Sequence, residues 1–321
     1  MTKKMKTSLL LIVAMVMGVI VTSCDNTDEN VTEVQEEAQA TTRAVGTKTP
    51  KLTVYIETND INPLNAKEYY FCDTIPQKEE VIDHVILFAS NIRGTATTVE
   101  LYHNPNQTHI LNNAATLIQP LQAKGIKVML GLLGDWTGVG FANLNSTLRV
   151  DFAQQVANCV TTYGLDGVDF DDEYADYGNA PPGLPAPSAT NFGLLIQEVR
   201  DLLPDKLITV FHYGGYTNFD ATTMSSLDYM WPNFGCAPTP PTGLANSKWA
   251  KLSIRIISSS STIPNALTIQ ACASSYSGYG AVMMFNLRDW SAASIMNNFA
   301  SRVWGTGRTV CHTGTTHAKT W

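Results

Sequence analysis

Five acidic residues stand within eight positions of the segment 166–173 (DGVDFDDE), although only 15% of the 321 residues are charged. Side chains alternate along a β-strand, so Asp169, Asp171 and Glu173 would share one face of this segment. The bulky apolar residues between them would face the opposite way. Like charges that are buried together repel one another, so at least one of the three acids should keep its proton. Carboxyls held in this way are suited to general acid–base chemistry.

Eight short apolar runs that could form strands follow one another from residue 51 onward. Runs of this kind are typical of strands buried on both faces, as in a parallel sheet. The predicted strands cover residues 52–57, 84–89, 127–133, 167–173, 207–213, 227–231, 252–257 and 281–287. The acidic segment is therefore the fourth strand.

Amphipathic stretches of helical period lie between these strands, over residues 110–121, 152–163, 192–202, 265–278 and 291–304. The connections after strands one, five and six are less clearly helical, so irregular or short helices are expected there. Eight strand–helix units over about 270 residues predict an α/β fold, a single (β/α)8 TIM barrel. A doubly wound sheet would instead call for a nucleotide fingerprint, and neither GxGxxG nor a Walker A motif is present. In a barrel, the chemistry is expected at the carboxyl ends of the strands.

The acids of the fourth strand could alternatively be structural, if Lys or Arg residues of neighbouring strands neutralised them. Arg255 in the seventh strand is the one obvious basic residue directed inward. One base cannot neutralise three acids, so a functional role is favoured.

The acidic segment fits the DGxDxDxE signature of family-18 glycoside hydrolases at every fixed position. The longer LDGVDFDDEYADYG resembles the endoglycosidase H type of endo-β-N-acetylglucosaminidase, as do KVMLGLLGDWTGVGFANL, SLDYMWPNFG and GYGAVMMFNL. The resemblance covers about residues 50–305. It implies a retaining enzyme that cuts the GlcNAc-β1,4-GlcNAc core of N-linked glycans, chiefly of the high-mannose type. Family 18 is substrate-assisted, so the nucleophile would be the acetamido oxygen of the substrate.

The resemblance also implies roles for individual acids. Glu173 would protonate the leaving oxygen and later activate water, while Asp171 would orient the acetamido group and stabilise the oxazolinium charge. Asp169 would share a proton with Asp171. Asp172 points the other way and is expected to be structural, and Asp166 lies too low on the strand for catalysis.

Five further residues are candidates for contact with the sugar. Tyr229, Trp231 and Asn233 lie two apart at the end of the sixth strand, where the family places groups that bind the acetamido oxygen or stack on the sugar. Core aromatics that line the barrel wall are the alternative for this set. Trp136, after the third strand, would contact mannose branches or anchor its own loop. Asn286 is the candidate of the eighth strand.

The N-terminus resembles a lipoprotein signal. Three lysines precede an apolar run over residues 9–21, which is shorter than a membrane span, and the following VTSC resembles a lipobox that ends at Cys24. An ordinary secretory signal is the alternative. The expected organisation is a signal peptide (1–23), an acidic tether (24–49), the catalytic barrel (50–305) and a C-terminal tail (306–321). Cys24 would carry lipid in the cell envelope of a diderm bacterium, at the outer membrane and potentially facing outward.

The composition narrows the range of partners. A formal net charge of −7 at pH 7 and the lack of a basic patch argue against nucleic acid. Neither a cofactor nor a metal is expected, because the six histidines show no paired-ligand spacing. The expected partner is an N-glycoprotein or free N-glycan, the protein is expected to be a monomer, and membrane contact would be made only through the lipid.

Two questions remain open at this level. Cys159 and Cys272 lie in helical patterns and are expected to be small buried hydrophobes, and the spacing of the five cysteines after Cys24 does not specify which of them pair. The functional alternatives are a chitinase and a glycan-binding lipoprotein without activity. Lectins of the family usually lose the catalytic Glu, and Glu173 is present.

Overall fold

Eight parallel strands form the centre of the computed structural model, which describes residues 48–321. The strands are β1 (Lys51–Glu57), β2 (Tyr69–Phe71), β3 (His84–Gly94), β4 (Val99–Tyr102), β5 (Lys127–Leu133), β6 (Gly167–Asp171), β7 (Leu207–His212), β8 (Tyr229–Pro232), β9 (Gly235–Cys236), β10 (Ala250–Ser258), β11 (Ser261–Ile263), β12 (Ala281–Phe285) and β13 (Val310–His312). The central eight are paired in the order β10-β12-β1-β3-β5-β6-β7-β8. A single parallel bridge from Met230 to Trp249 joins the last strand to the start of the first, so the sheet closes into a barrel.

All eight predicted strands are present, and the predicted (β/α)8 barrel is confirmed. The main difference at the site is that β6 ends at Asp171, so Glu173 stands two residues beyond the strand. The additional strands are short antiparallel extensions: β4 pairs with β3, and β9 and β11 pair with β10.

Helices cover the outside of the barrel and vary widely in length. They are α1 (Pro105–Asn112), α2 (Ala114–Leu117), α3 (Gln119–Gln122), α4 (Ser146–Thr162), α5 (Ala189–Leu202), α6 (Ala221–Ser226), α7 (Ala266–Ala273), α8 (Ala293–Met296) and α9 (Ala300–Trp304). The prediction of one continuous helix over 110–121 is wrong, because three short helices occupy this stretch. Pro120 has no N–H to donate to the carbonyl of Thr116, which prevents a continuous helix there. The helix predicted over 291–304 is likewise divided, into α8 and α9, and the one predicted over 265–278 is shortened to α7.

The weakly helical connections are irregular, as predicted. The first strand is followed by two 3-10 turns, Pro63–Glu68 and Cys72–Thr74, with β2 between them. Strand β7 is followed by the six-residue helix α6, and β8 by β9 and a 3-10 turn at Asn246–Lys248. The long regular helices α4 and α5 flank β6 along the chain and so support the strand that carries the acids.

The apolar core has two layers. A large outer layer lies between the strands and the helices, and a smaller inner cluster fills the barrel below its mouth. The buried members of the inner cluster are Tyr55, Ile86, Met129, Phe211, Trp231, Ala250, Ala281 and Met283. The barrel is therefore packed at its centre, and any site must lie above this layer.

Four of the five cysteines outside the N-terminal segment are paired. Cys72 bonds with Cys311, and Cys236 bonds with Cys272, whereas Cys159 is free and buried as predicted. The prediction that Cys272 is only a small buried hydrophobe is therefore wrong. Helix α7 packs against β9, which places the Cα atoms of Cys272 and Cys236 5.8 Å apart.

The chain after residue 305 packs against the barrel. Strand β13 pairs with β2, and the disulfide at Cys311 joins the same two segments. His317 lies 2.7 Å from the carboxyl of Glu68. Across the described residues, no helix is both long and apolar enough to cross a membrane. The expected signal peptide and Cys24 lie outside the described residues, as does the tether up to residue 47.

Candidate active site

The backbone around Glu173 is held by the loop that follows β5. The N–H of Gly134 donates to the carbonyl of Glu173 at 3.0 Å, and the N–H of Trp136 donates to that of Tyr174 at 2.7 Å. A Cβ atom at Gly134 would come within 2.4 Å of the Glu173 carbonyl oxygen and of the Ala175 nitrogen. Only glycine permits this close approach, so the GDW sequence of the loop serves to position Glu173.

Asp169 is fully buried at the lowest level of the acidic face, and both of its carboxyl oxygens accept hydrogen bonds. Tyr55 donates its hydroxyl to Oδ2 at 2.7 Å, and Thr209 donates to Oδ1 at 2.6 Å. The indole N–H of Trp231 donates in turn to the Tyr55 hydroxyl at 2.7 Å. Burial raises the pKa of Asp169 to about 6, and the Thr209 and Tyr55 hydrogen bonds limit that rise.

Asp171 and Glu173 form a coupled pair above Asp169. Burial, followed by the charge of Glu173, raises the pKa of Asp171 well above its ordinary value, and side-chain hydrogen bonding with Glu173 adds to that rise. Burial also raises the pKa of Glu173, which this hydrogen bond opposes. The Oδ1 atom of Asp171 is buried and has no hydrogen-bond partner among the described residues. The raised pKa values favour a proton shared by the pair, beside the buried Oδ1 acceptor of Asp171.

The sequence predicted that Asp169 shares a proton with Asp171, but the geometry differs. Both Asp169 oxygens accept hydrogen bonds from hydroxyl groups, and no hydrogen bond joins Asp169 to Asp171 within residues 48–321. Asp169 influences Asp171 through its charge, which raises the pKa of Asp171.

A cavity of about 580 Å³ opens above this pair at the barrel mouth. Asp171, Glu173 and Tyr174 line one wall, together with aromatic rings of the neighbouring strands. The aromatic lining residues are Tyr55, Phe88, Phe211, Tyr213, Phe234 and Phe285, and the polar ones on the other walls are Glu57, Asn59, Asn91, Asn104, Asn233 and Arg255. Such a lining is suited to binding a sugar, because a sugar ring has apolar C–H faces that pack on aromatic side chains. Its hydroxyl groups can form hydrogen bonds with the carboxylates, amides and guanidinium.

The five residues predicted to contact sugar do not lie together. Asn233 lines the cavity, but Trp231 is fully buried in the inner layer. Tyr229 packs against His84 at the amino ends of β8 and β3, which is the far end of the barrel from Glu173. Tyr229 and Trp231 are therefore core aromatics of the barrel wall, which was the alternative for this set. Side chains on one face of a strand lie at different depths along the barrel axis, and these two lie below the cavity.

The other two candidates are at the rim of the barrel. Trp136 is 66% exposed beside Tyr174, with ring centroids 5.3 Å apart, but it does not line the cavity. Asn286 also lies outside the cavity lining, because its amide donates to the Ile256 carbonyl and accepts from Arg288.

The remaining acids of the segment are structural, as predicted. Tyr177 donates to Asp172 at 2.5 Å on the outer side of the strand, and burial raises the pKa of Asp172 to about 6. Asp166 lies below the strand and pairs with Lys127 at 3.0 Å. Arg255 lines the cavity but forms no ion pair with the three inward acids among residues 48–321, so they are not neutralised by it.

Sequence reasoning missed several groups of the site, chiefly Tyr55, Thr209 and Glu57. Thr209 lies opposite Asp169 in the register of β6 and β7, and Tyr55 and Glu57 share the inner face of β1. The signal that could have identified them is the alternation of each barrel strand, read for polar residues on the inner face.

Comparison with known proteins places this geometry in a family. The sequence profile described as Glycosyl hydrolases family 18 matches residues 51–234. An endo-β-N-acetylglucosaminidase of Flavobacterium sp. (strain SK1022) is 36% identical over 268 residues, which are 81% of this chain and 82% of that protein. Endo-β-N-acetylglucosaminidase F1 of Elizabethkingia meningoseptica is 38% identical over 187 residues, and the match spans about half of each chain (56% of this one and 54% of that one).

A solved structure agrees with these sequence matches. EndoBT-3987 of Bacteroides thetaiotaomicron, described in complex with a Man5GlcNAc product, superposes with a TM-score of 0.70 at 29% identity. The match covers 86% of this chain and 65% of that chain. A second structure of EndoBT-3987, with a Man9GlcNAc2Asn substrate, also gives a TM-score of 0.70, at 28% identity, and covers 86% of this chain and 70% of that one. On the family profile, the relatives and the barrel together, the chain belongs to family 18 of the glycosyl hydrolases.

Proposed function

We propose that this protein is an endo-β-N-acetylglucosaminidase that hydrolyses the GlcNAc-β1,4-GlcNAc core of N-linked glycans, chiefly high-mannose glycans. The observation that carries the proposal is the Asp171–Glu173 pair on one wall of an open cavity, where Oδ1 of Asp171 is buried and has no hydrogen-bond partner among the described residues. The raised pKa of Asp171 favours a proton shared between the two carboxyls. The named relatives and the glycans bound to EndoBT-3987 support the substrate class.

The first step begins when the acetamido N–H of the substrate donates to Oδ1 of Asp171, the oxygen that has no hydrogen-bond partner within residues 48–321. This hydrogen bond favours ionised Asp171, because a donor stabilises the charged form of a carboxyl group. The shared proton then resides on Glu173, which lies at the leaving oxygen. Substrate binding thereby converts the pair into a carboxylate and a general acid.

In the bond-breaking step, Glu173 gives its proton to the glycosidic oxygen while the acetamido oxygen attacks C1 of the same sugar. The product of this step is an oxazolinium ion, whose positive charge faces the Asp171 carboxylate. Burial of Asp171 strengthens this attraction, because the charges interact in a medium of lower dielectric than water.

In the second step, ionised Glu173 takes a proton from water, and the water oxygen bonds to C1 as the bond to the acetamido oxygen breaks. Water enters from the face that the leaving group has vacated. Two displacements at C1 preserve its configuration, so the product retains the β-anomer.

The test is mass spectrometry of products from a substrate panel. A glycoprotein that bears only high-mannose glycans should lose each glycan except one GlcNAc, and complex glycans should react more slowly. Cleavage of chitin oligomers without release of N-glycans would identify a chitinase instead. If neither substrate changes while the glycan still binds, the protein is a glycan-binding module and the proposal is wrong.

We also propose that Cys24 carries lipid and anchors the enzyme in the cell envelope, at the outer membrane. The support is the basic flank, the apolar run and the VTSC sequence of the N-terminus. Labelled fatty acid should enter the full chain in a diderm host, and Cys24→Ala should abolish that labelling. Equal labelling of the variant would exclude the anchor at Cys24 and leave the catalytic proposal untouched.

A further inference from the structure

Two charged side chains face the cavity, and neither is paired with another described residue. Glu57 at the end of β1 and Arg255 on β10 both line it, and neither side chain forms a hydrogen bond or an ion pair within the part of the chain that the structure describes. The two groups interact through their charges: burial raises the pKa of Glu57, and the positive charge of Arg255 is one of those that oppose this rise. A carboxylate and a guanidinium with unused hydrogen-bonding capacity are therefore exposed to whatever occupies the cavity.

The strand order places these two groups across the barrel from the acids. Strands β1 and β10 flank β12, whereas β6 is separated from β1 by β3 and β5, and from β10 by β7 and β8. Phe285 of β12 pairs with Arg255 in the register and lies 5.7 Å from the Tyr55 ring. The wall opposite Glu173 therefore consists of an aromatic surface with a charge on each side.

The orientation of the substrate follows from the chemistry of Glu173. The sugar that is cut must direct C1 and its leaving group toward Glu173, so its O4 atom lies on the far side of the ring. The next sugar of the glycan is attached at O4 and extends toward the wall of β1, β12 and β10. In an N-linked glycan that sugar is the branching mannose.

We infer that Glu57 and Arg255 form a hexose subsite, which binds the mannose attached to O4 of the cleaved N-acetylglucosamine. The Glu57 carboxylate accepts a hydrogen bond from a free hydroxyl of this mannose, Arg255 donates to the sugar oxygens, and Phe285 provides the apolar surface between them. This inference rests on the proposed function and specifies how the site recognises the non-reducing part of its substrate.

The experiment compares two labelled asparagine glycosides, one with five mannoses on the GlcNAc2 core and one with the bare core. We expect Glu57→Gln and Arg255→Met each to lower kcat/KM on the mannosylated substrate by about 10- to 100-fold, the range for loss of a hydrogen bond to a charged group. On the bare core the same variants should change kcat/KM by less than about 3-fold. Asp205→Asn is the matched control, because this exposed acid precedes β7 at the other end of the barrel, and it should alter neither rate.

A binding measurement keeps this inference separate from the catalytic proposal. Calorimetry with Glu173→Gln should detect the free glycan of five mannoses on one GlcNAc, and adding Glu57→Gln should weaken its Kd by the same 10- to 100-fold. If the wild type releases no glycan but this loss of binding appears, the proposed function fails and the subsite remains. If the glycan is released and both variants keep wild-type selectivity and Kd, the subsite is wrong. Equal losses on both substrates would also overturn it, because Glu57 would then serve the chemistry or the fold.

Discussion

The inner face of β6 carries acids in two environments that differ sharply within two residues. At the lower level, Asp169 has a hydroxyl donor on each oxygen, and one donor is fixed by an indole N–H. At the upper level, Asp171 and Glu173 face each other as like-charged groups, and one oxygen of Asp171 has no partner within residues 48–321. The lower acid is a completed structural unit, whereas the upper pair is incomplete until something enters the cavity.

The site confines its electrostatic repulsion to the level that would meet substrate. Neutral donors satisfy Asp169, so it supplies a fixed negative charge that acts on Asp171 from below. The strain of like charges is confined to the pair that would meet substrate, and it is relieved by holding one proton. The effect of a substitution at one level can therefore be compared with the effect of a substitution at the other.

The largest effect is expected from Glu173→Gln, which removes the proton donor at the upper level. Because the same carboxyl acts in both steps, kcat should fall by about 10⁴-fold, the upper end of the range for a general acid–base group. Release of glycan from a high-mannose glycoprotein is the measurement. Glu198→Gln is the control, since that acid pairs with Arg149 on the outer helices at 2.8 Å. Turnover near the wild-type rate would remove Glu173 from the mechanism.

Asp171→Asn should lower kcat by about 10²–10³-fold, the usual loss when one electrostatic stabiliser of a transition state is removed. The amide cannot neutralise the oxazolinium ion, and it cannot hold the proton that Asp171 shares with Glu173. A preformed sugar oxazoline bypasses this step, so the variant should still react with it through Glu173. Rates on both substrates, measured by chromatography, test the assignment. Equal rates for variant and wild type on the glycan would contradict it.

The sequence predicts the fold well because every barrel strand is a short apolar run, and the periodicity of such runs is a local property. It also predicts which acids share the inner face of β6, since alternation along a strand is local too. Depth within the barrel is not local. Trp231 lies in β8 and Asn233 directly after it, yet Trp231 is buried and Asn233 lines the cavity.

Contacts between distant strands could not be predicted for the same reason. Tyr55 donates to Asp169 across 114 positions of sequence, and nothing in the sequence of β1 indicates which strand it faces. The pairing of Cys236 with Cys272 likewise depends on how α7 packs against β9. The helix predicted over 110–121 is interrupted at Pro120, where apolar periodicity continues but the hydrogen-bond pattern does not.

Asp169→Asn tests the lower level through the pH dependence of stability. The wild-type carboxyl ionises at about 6 when folded and near 3.8 when unfolded, so unfolding releases a proton between these values. The free energy of unfolding therefore falls as pH rises through this window, by about 3 kcal/mol from this group. The variant lacks this loss, so its stability relative to wild type should rise by about 2–3 kcal/mol between about pH 4 and pH 7.

Urea unfolding of both proteins across that range is the measurement. Asp172, whose pKa is also about 6, contributes equally to both proteins and cancels in the difference. If the difference in the free energy of unfolding between the two proteins stays constant with pH, the pKa of Asp169 is not raised in the folded protein.

The smallest effect is expected from Tyr55→Phe, which leaves the upper pair intact and removes one hydroxyl beneath it. That hydroxyl donates to Asp169 and accepts from the Trp231 indole, so its loss leaves two buried groups each short of one hydrogen bond. The free energy of unfolding should fall by about 1–3 kcal/mol, as for buried polar groups that lose a partner. Because the Tyr55 hydrogen bond lowers the pKa of Asp169, its loss should raise that pKa. The fall in the free energy of unfolding that accompanies ionisation of Asp169 should then extend to higher pH.

The KM for glycan distinguishes this positioning role from direct contact with sugar. Tyr55 lines the cavity with its ring, which Phe retains, so KM should stay within about 3-fold of wild type while stability falls. A large rise in KM with unchanged stability would show that the hydroxyl serves the substrate and not Asp169. In that case the lower level of β6 would not be a completed structural unit, and the contrast between the two levels would lose its basis.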